Sequence, residues 1–511
     1  MLEYFVTALL LLVPLAPMII GFWSGWTVQN DTLIAKKALL CLKISITSFA
    51  VLAAISLFSS TSITPDLWRL TPLTWVITTL VLGIGFVVTR FSRQYMYGEP
   101  RLGYYYRWLL LTLSAVLITV LANNLLLLLF GWVLISLSLH RLLVFYPNRA
   151  RTQLAAHKKF IIARISELSL ALAFWLLYEQ AGSANITTIL NMLQTGGLAP
   201  STSLTLAACL IALTAILKCA QLPVHGWLIQ VVDAPTPVSA LLHAGVINLG
   251  GYLLILFSPV MQQSPLANSL LLGVTGISLL LSALIMQTRV SIKVKLAWST
   301  SAQMGFMLVE CALGFYELAL LHLVAHSLYK AHAFLFAGST VQQYQHVLLA
   351  QQNNHSYTRL ALSAIAGGML VFGASLLVHS AWSLWLLLGI GLSFHIYAQA
   401  YSIKNQLLAL LGSVLMTALI VTWKLFASSW FGLPEVKTVS IWADMYLIII
   451  VIALLVLTQA LSKKQKNGAT SGLQNAFFAG LYLDEWFTRF TQRVWPINLT
   501  PANMTHSHNA K

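Results

Sequence analysis

At 511 residues, with 58% hydrophobic and only 8% charged residues, the chain lies far from soluble domains, in which about 25% of residues are charged. The formal charge of +16 does not indicate a nucleic-acid partner, because it is confined to short segments between long apolar runs. The composition is that of an all-α, polytopic membrane protein with no room for a sizeable soluble domain.

Apolar runs of about 20 residues, the length that crosses a bilayer as a helix, give about fifteen helix candidates, centred near residues 15, 47, 80, 114, 134, 168, 217, 248, 277, 304, 329, 370, 391, 415 and 450. They predict a transmembrane domain over residues 1–462, with its core at 105–425, and a tail over 463–511. The first run, Tyr4 to Gly21, follows Glu3 and lacks a basic start, so it reads as a retained helix. Threading fifteen spans puts Lys36, Arg90, Arg101, Arg141, Lys158, Lys159, Arg289, Lys293, Arg359, Lys404 and Lys463 on one side. The loops on the other side carry almost no Lys or Arg. By the positive-inside rule the N-terminus is expected outside and the C-terminus in the cytoplasm, in a bacterial cytoplasmic membrane. The four cysteines have no paired spacing, so neither a disulfide framework nor a metal site is expected.

In chain order, the first two helices are nearly featureless and suit packing or lipid contact. A helix near residue 80 leads into an aromatic, basic loop ending at YYYRW, the pattern of headgroup anchoring. Two further helices follow, joined at the polar turn Asn123–Asn124. His140 and Arg141 close the second of them at a depth where snorkelling accounts for both. The helix from Lys158 to Tyr178 then carries one intramembrane acid, Glu167, a functional candidate by default.

The central stretch, Leu217 to Gly251, reads LKCAQLPVHGWLIQVVDAPTPVSALLHAGVINLGG. An ionisable group at bilayer depth costs about 2.5 to 3.5 kcal/mol, so Lys218, Asp233 and His243 each need a partner, water or a task. Pro223, Pro235 and Pro237 predict a broken helix, tolerated in a membrane only where protein or water covers the freed backbone. Gly245, Gly250 and Gly251 would allow close helix approach.

Lys293 and Lys295 precede the next helix; Lys293 is a weaker path candidate, and both suit anchoring. In HLVAHSLYKAHAFLFAG, His322, His326 and Lys330 recur every four residues and form one stripe about 12 Å long, a relay geometry. His332 points to another face and reads as structural, as do His379, His395 and Lys404 beyond Tyr357. A basic linker, KKQKNGATSG, leads to an amphipathic segment, 473–495, suited to a membrane surface or a partner. The terminal HSHNAK is too short for a metal site, and the sequons at Asn498 and Asn503 read as chance matches.

The motifs ANNLLLLLFGW, LKCAQLPVHGWL, APTPVSALLHAG, LAWSTSAQMGFM and HLVAHSLYKAHAFLFAG, in this order over roughly residues 64–340, resemble the antiporter-like subunits of respiratory complex I and of multisubunit sodium/proton antiporters. The resemblance implies broken-helix half-channels in an inverted-repeat core. It implies a central channel lysine at Lys218, a histidine of the following helix at His243, a linking stripe at His322, His326 and Lys330, and an acid on the preceding helix at Glu167. The chain departs from the pattern at Trp132–Val133, where the family has Trp-Glu, and after Tyr357, where the family's Phe-Ser-Lys-Asp segment is replaced by GGMLVFGASLLVHS.

The wording LPVHGWL, LLHAGVINLGGYLL and LHRLLVFYP is more similar to the DabB family, the membrane subunits of two-component inorganic carbon pumps. That resemblance implies a conduit for protons or sodium, energising a soluble zinc partner of the DabA type that resembles carbonic anhydrase and hydrates CO2 at the cytoplasmic face. The chain itself then needs no cofactor and is a transporter subunit, not an enzyme. The alternatives are a proton-translocating subunit of an electron-transfer or sodium/proton antiporter complex, and a structural subunit that conducts nothing.

Overall fold

The computed structural model describes residues 2–24, 31–58, 66–338, 357–378, 382–398, 403–433, 440–462 and 472–497. His379, Asn498, Asn503, the terminal HSHNAK and most of the basic linker lie outside them. The helices are α1 (Leu2–Ser24), α2 (Asp31–Phe58), α3 (Pro72–Tyr95), α4 (Leu102–Leu121), α5 (Leu125–Leu143), α6 (Ala150–Ala181), α7 (Ile186–Gln194), α8 (Thr202–Lys218), α9 (Gly226–Gln230), α10 (Thr236–Ala244) and α11 (Leu249–Leu256). They continue as α12 (Ser258–Gln262), α13 (Pro265–Gln287), α14 (Ile292–Ala312), α15 (Tyr316–Leu335), α16 (Tyr357–Leu377), α17 (Trp382–Ala398), α18 (Ile403–Trp430), α19 (Ile441–Ser462), α20 (Gly472–Phe478) and α21 (Glu485–Val494).

Among the described residues, 11 helices are long and apolar enough to cross a membrane, and α8 and α17 are shorter apolar helices. By this measure 11 of the about fifteen expected spans are met among the described residues. Helices α14 and α15 fall outside it although they span 21 and 20 residues. They carry Lys293, Lys295, Glu310, Glu317 and the His322–Lys330 stripe, which lower their hydropathy.

Local signals set the boundaries. Thr71 caps α3 ahead of Pro72, and Ser264 caps α13 ahead of Pro265, the pairing of hydroxyl cap and N1 proline that satisfies the first free amides. Gly182 ends α6 with φ +63°, a left-handed conformation that glycine adopts without strain. At the Asn123–Asn124 turn, Asn124 accepts from the amide of Leu126 at 2.9 Å, and Asn123 accepts from the Thr187 hydroxyl at 2.7 Å. The polar turn is therefore a knot between α4, α5 and α7.

One continuous apolar core runs from α1 to α15. Its centre is the α10–α11 segment, every residue of which from Thr236 to Ala244 and from Leu249 to Leu256 is buried. Gly250 makes this packing possible, because a Cβ there would stand 2.5 Å from Cys219 Sγ and 2.9 Å from the Ala215 carbonyl of α8. Helices α16, α17 and α18 pack against one another, with α18 meeting α15.

Candidate functional site

The sequence of the central stretch breaks its helix as expected. Helix α8 ends at Lys218, the chain passes through a left-handed conformation at Ala220 (φ +49°), and regular helix resumes only at Gly226. A non-glycine residue there is uncommon, and in a membrane the freed backbone groups need partners. Neighbouring helices supply them. Ser301 of α14 donates to the Ala220 carbonyl at 3.3 Å, Ser278 of α13 accepts from the Leu222 amide at 3.0 Å, and Gln221 donates to the carbonyls of Cys219 and Ser301. A second break, at Gly245 with a 3-10 turn over residues 246–248, separates α10 from α11 directly after His243.

The break places Lys218 in a cluster. Its ammonium lies 4.4 Å from the centre of the Trp132 ring, a cation–π contact that partly offsets the loss of water. A small cavity of about 30 Å³ joins Lys218 to Trp132, Ser136, Lys159 and Glu167, enough for a water molecule. The ion pair of Glu167 is with Arg164, at 2.7 Å, although Lys218 and Lys159 lie within electrostatic reach of the carboxylate. Lys159 donates to the Ser136 carbonyl at 2.6 Å and Arg164 to the Ser136 hydroxyl at 2.7 Å. One carboxylate among three cationic side chains leaves surplus positive charge. A proton arriving at one base therefore raises the electrostatic energy at the others, strongly so in a low-dielectric interior.

A second cluster lies on the other side of α10. His243 is fully buried, its Nδ1 stands 3.1 Å from the Thr300 hydroxyl, and its ring stacks on Phe334 at 4.3 Å. Lys330, also fully buried, donates to the Leu296 carbonyl at 3.0 Å. His326 lies within electrostatic reach of Lys330, His322 and His243, and its ring centre is 6.2 Å from that of His322. The stripe on α15 thus faces inward and meets His243. The Nε2 atoms of His243 and His326 are buried without a hydrogen-bond partner among the described residues.

Two candidates sit apart from these clusters. Asp233 lies at the Lys/Arg-rich end, 3.7 Å from a half-exposed Arg151, and its backbone carbonyl accepts from Arg149. Lys293 is partly buried and donates to the Thr236 hydroxyl at 2.9 Å. His332 is exposed and stacks on Phe336.

Several buried ionisable groups escaped the sequence reading. Lys158 and Lys159 read as charges of the Lys/Arg-rich side at the start of a helix, yet α6 begins at Ala150 and both are buried. The buried Glu310, Glu317 and Lys424 lie within α14, α15 and α18, and the half-buried Arg164 within α6; as ionisable groups at membrane depth they are functional candidates on the same ground as Glu167.

The amphipathic tail folds back on its own chain. Asp484 accepts from Lys158 at 2.6 Å and from Gln230 at 3.1 Å, Phe487 is buried against Ile162, Leu217 and Val224, and Trp495 stacks on His157 at 3.9 Å. A Cβ at Gly226 would collide with the Asp484 carboxylate. The segment from α20 to α21, a strap, therefore lies over the restart of the broken helix, and Trp486, Phe490 and Val494 on its outer face remain exposed.

The family described as NADH:quinone oxidoreductase/Mrp antiporter, TM matches residues 122–416, which hold both clusters. The probable inorganic carbon transporter subunit DabB of Hydrogenovibrio crunogenus is 44% identical over 431 residues, covering 82% of each chain. The chain belongs to the DabB branch of this antiporter family. Among other DabB proteins, DabB2 of Halothiobacillus neapolitanus is 35% identical over 83% of this chain and 80% of its own length. The fold is shared with the Mrp complex from Dietzia sp., at a TM-score of 0.56 and 23% identity over 98% of this chain and 57% of that one. The chain is a multi-pass membrane protein, and these DabB relatives are named as probable inorganic carbon transporter subunits.

Proposed function

We propose that the chain is the cation-conducting membrane subunit of an inorganic carbon pump. The observation that carries this reading is the set of bases at the two helix breaks: the buried Lys159, His243, Lys330 and His326, with the half-buried Lys218 and His322 among them. Such groups persist at bilayer depth where they carry charge or ions, and histidines exchange protons near neutral pH. Glu167 is the acid that partly offsets the charge of the Lys218 cluster, in the place of the carboxylate that Val133 does not supply.

The chemistry of hydration is assigned to a soluble partner of the DabA type, with carbonic-anhydrase-like zinc chemistry, docked on the Lys/Arg-rich face, which this reading takes as cytoplasmic. An elementary charge crossing the membrane supplies about 2.3 kcal/mol per 100 mV. Since about 1.4 kcal/mol is tenfold in an equilibrium constant, one proton per turnover biases CO2 hydration toward bicarbonate by more than tenfold. The test is growth at limiting CO2 of a strain dependent on the pump. Lys218→Ala is expected to abolish rescue while the complex still assembles; full rescue would favour a structural role.

A further inference from the structure

A cavity of about 490 Å³ lies between α14 and α15 on one side and α17 and α18 on the other. Most of its wall is apolar; its polar groups are Gln303 and Glu310 of α14, His322 of α15 and His395 of α17. Along α14 it extends from Gln303 to Leu313 and reaches Phe315 in the turn before α15. At 1.5 Å per residue that is about 15 Å, half the ~30 Å thickness of a hydrocarbon core. His322 bridges two acceptors of this wall: Glu310 Oε2, toward the α14–α15 turn, is 3.0 Å from its Nδ1, and Gln303 Oε1, deeper along α14, is 2.9 Å from its Nε2.

A polar contact that serves packing alone is normally enclosed. This one faces a space wide enough for several waters, each needing about 30 Å³, and its other side leads to the buried stripe through His326. The groups that face the pair are His326 from α15 and His395 from α17, while Lys424 lies one turn beyond Ile420 of the α18 wall.

We infer that Glu310 and His322 form a proton-loading site within a half-channel that opens at the α14–α15 turn. A proton from cavity water adds to the Glu310 carboxylate, passes to Nδ1 of His322 to leave a carboxylate and an imidazolium, and a ring proton moves on toward His326. The site rests on the reading of the chain as a conduit and gives that conduit a mouth on the face opposite the Lys/Arg-rich end.

The full chain, with its co-purifying partners, is reconstituted in liposomes carrying an internal pH dye. Potential-driven proton flux is then titrated against pH on each face separately. Glu310→Gln is expected to raise the half-saturating proton concentration on the α14–α15 face at least tenfold, leave the other face unchanged, and recover full flux at low pH; Glu310→Asp restores the parent profile. Ala325→Trp, which fills the cavity from α15, is expected to slow loading from the same face. An unchanged profile in Glu310→Gln, or dependence on sodium instead of proton concentration, overturns the loading site while the conduit stands. Absence of flux in the unaltered protein overturns both.

Discussion

The strap offers a quantitative test of how the Lys/Arg-rich end is closed. Lys158 Nζ is wholly buried and lies 2.6 Å from Asp484 Oδ2, whose side chain is 24% exposed, and it also donates to Thr488 at 2.7 Å. Lys158→Met keeps the apolar stem and strands the carboxylate, leaving it the Gln230 amide at 3.1 Å as its contact outside the strap. Breaking a buried pair costs about 3–5 kcal/mol, and the partial exposure of Asp484 sets the loss at the lower end, about 3 kcal/mol. At about 1.4 kcal/mol per decade, undocking becomes about a hundredfold more frequent.

Hydrogen exchange of the α20–α21 amides reads this directly, as a loss of protection of about two decades with the core unchanged. Burial pushes the Asp484 carboxyl above the usual carboxylate range, and Lys158 opposes that rise. Its raised value means that the docked strap holds the proton more tightly than the free one. Docking is therefore favoured at acid pH and weakens as pH rises through the docked value, with a steeper dependence in Lys158→Met. The double variant Lys158→Met with Asp484→Leu is expected to regain most of the protection, because no charge is stranded. Unchanged protection in Lys158→Met, or a double variant worse than the single, would refute the reasoning.

Further outcomes follow from the same geometry. Gly226→Ala sets a methyl group against the Asp484 carboxylate and should release the strap without lowering the melting temperature of the core, checked by exchange and thermal unfolding together. Gly250→Ala forces Cys219 and the Ala215 backbone apart and should cost about 1–3 kcal/mol of stability through overpacking, seen as a lower melting temperature in detergent. Glu167→Gln removes the one carboxylate among Lys159, Arg164 and Lys218 and should reduce proton flux at least tenfold with normal expression. Deletion of residues 473–495 is expected to lower recovery of the proposed soluble partner in co-purification; undiminished recovery would place the proposed docking surface elsewhere.

The parts of the site that were legible in the sequence are those written in local spacing. Prolines at 223, 235 and 237 marked the helix break beside Lys218, and the four-residue repeat of His322, His326 and Lys330 marked an inward face. What could not be read depends on contacts between distant segments. The burial of Lys158 needs Asp484, more than 300 residues away in the chain, to fold back over it. Glu310 meets His322 only because α14 and α15 turn on each other at Gly314, whose φ of +82° lets the chain reverse. Glu167 is legible as an intramembrane acid, but its pairing with Arg164 across one turn of α6 depends on side-chain rotamers that spacing alone does not fix.

The central claim is that positive charge crosses the bilayer by way of the buried bases. Its most direct test is potential-driven proton flux into liposomes holding the purified full-length protein, compared with Lys218→Ala and Lys330→Ala variants of equal reconstitution. Flux is expected in the parent and lost in both variants; equal flux in all three, or none in the parent under any gradient, would show that these bases do not carry the charge.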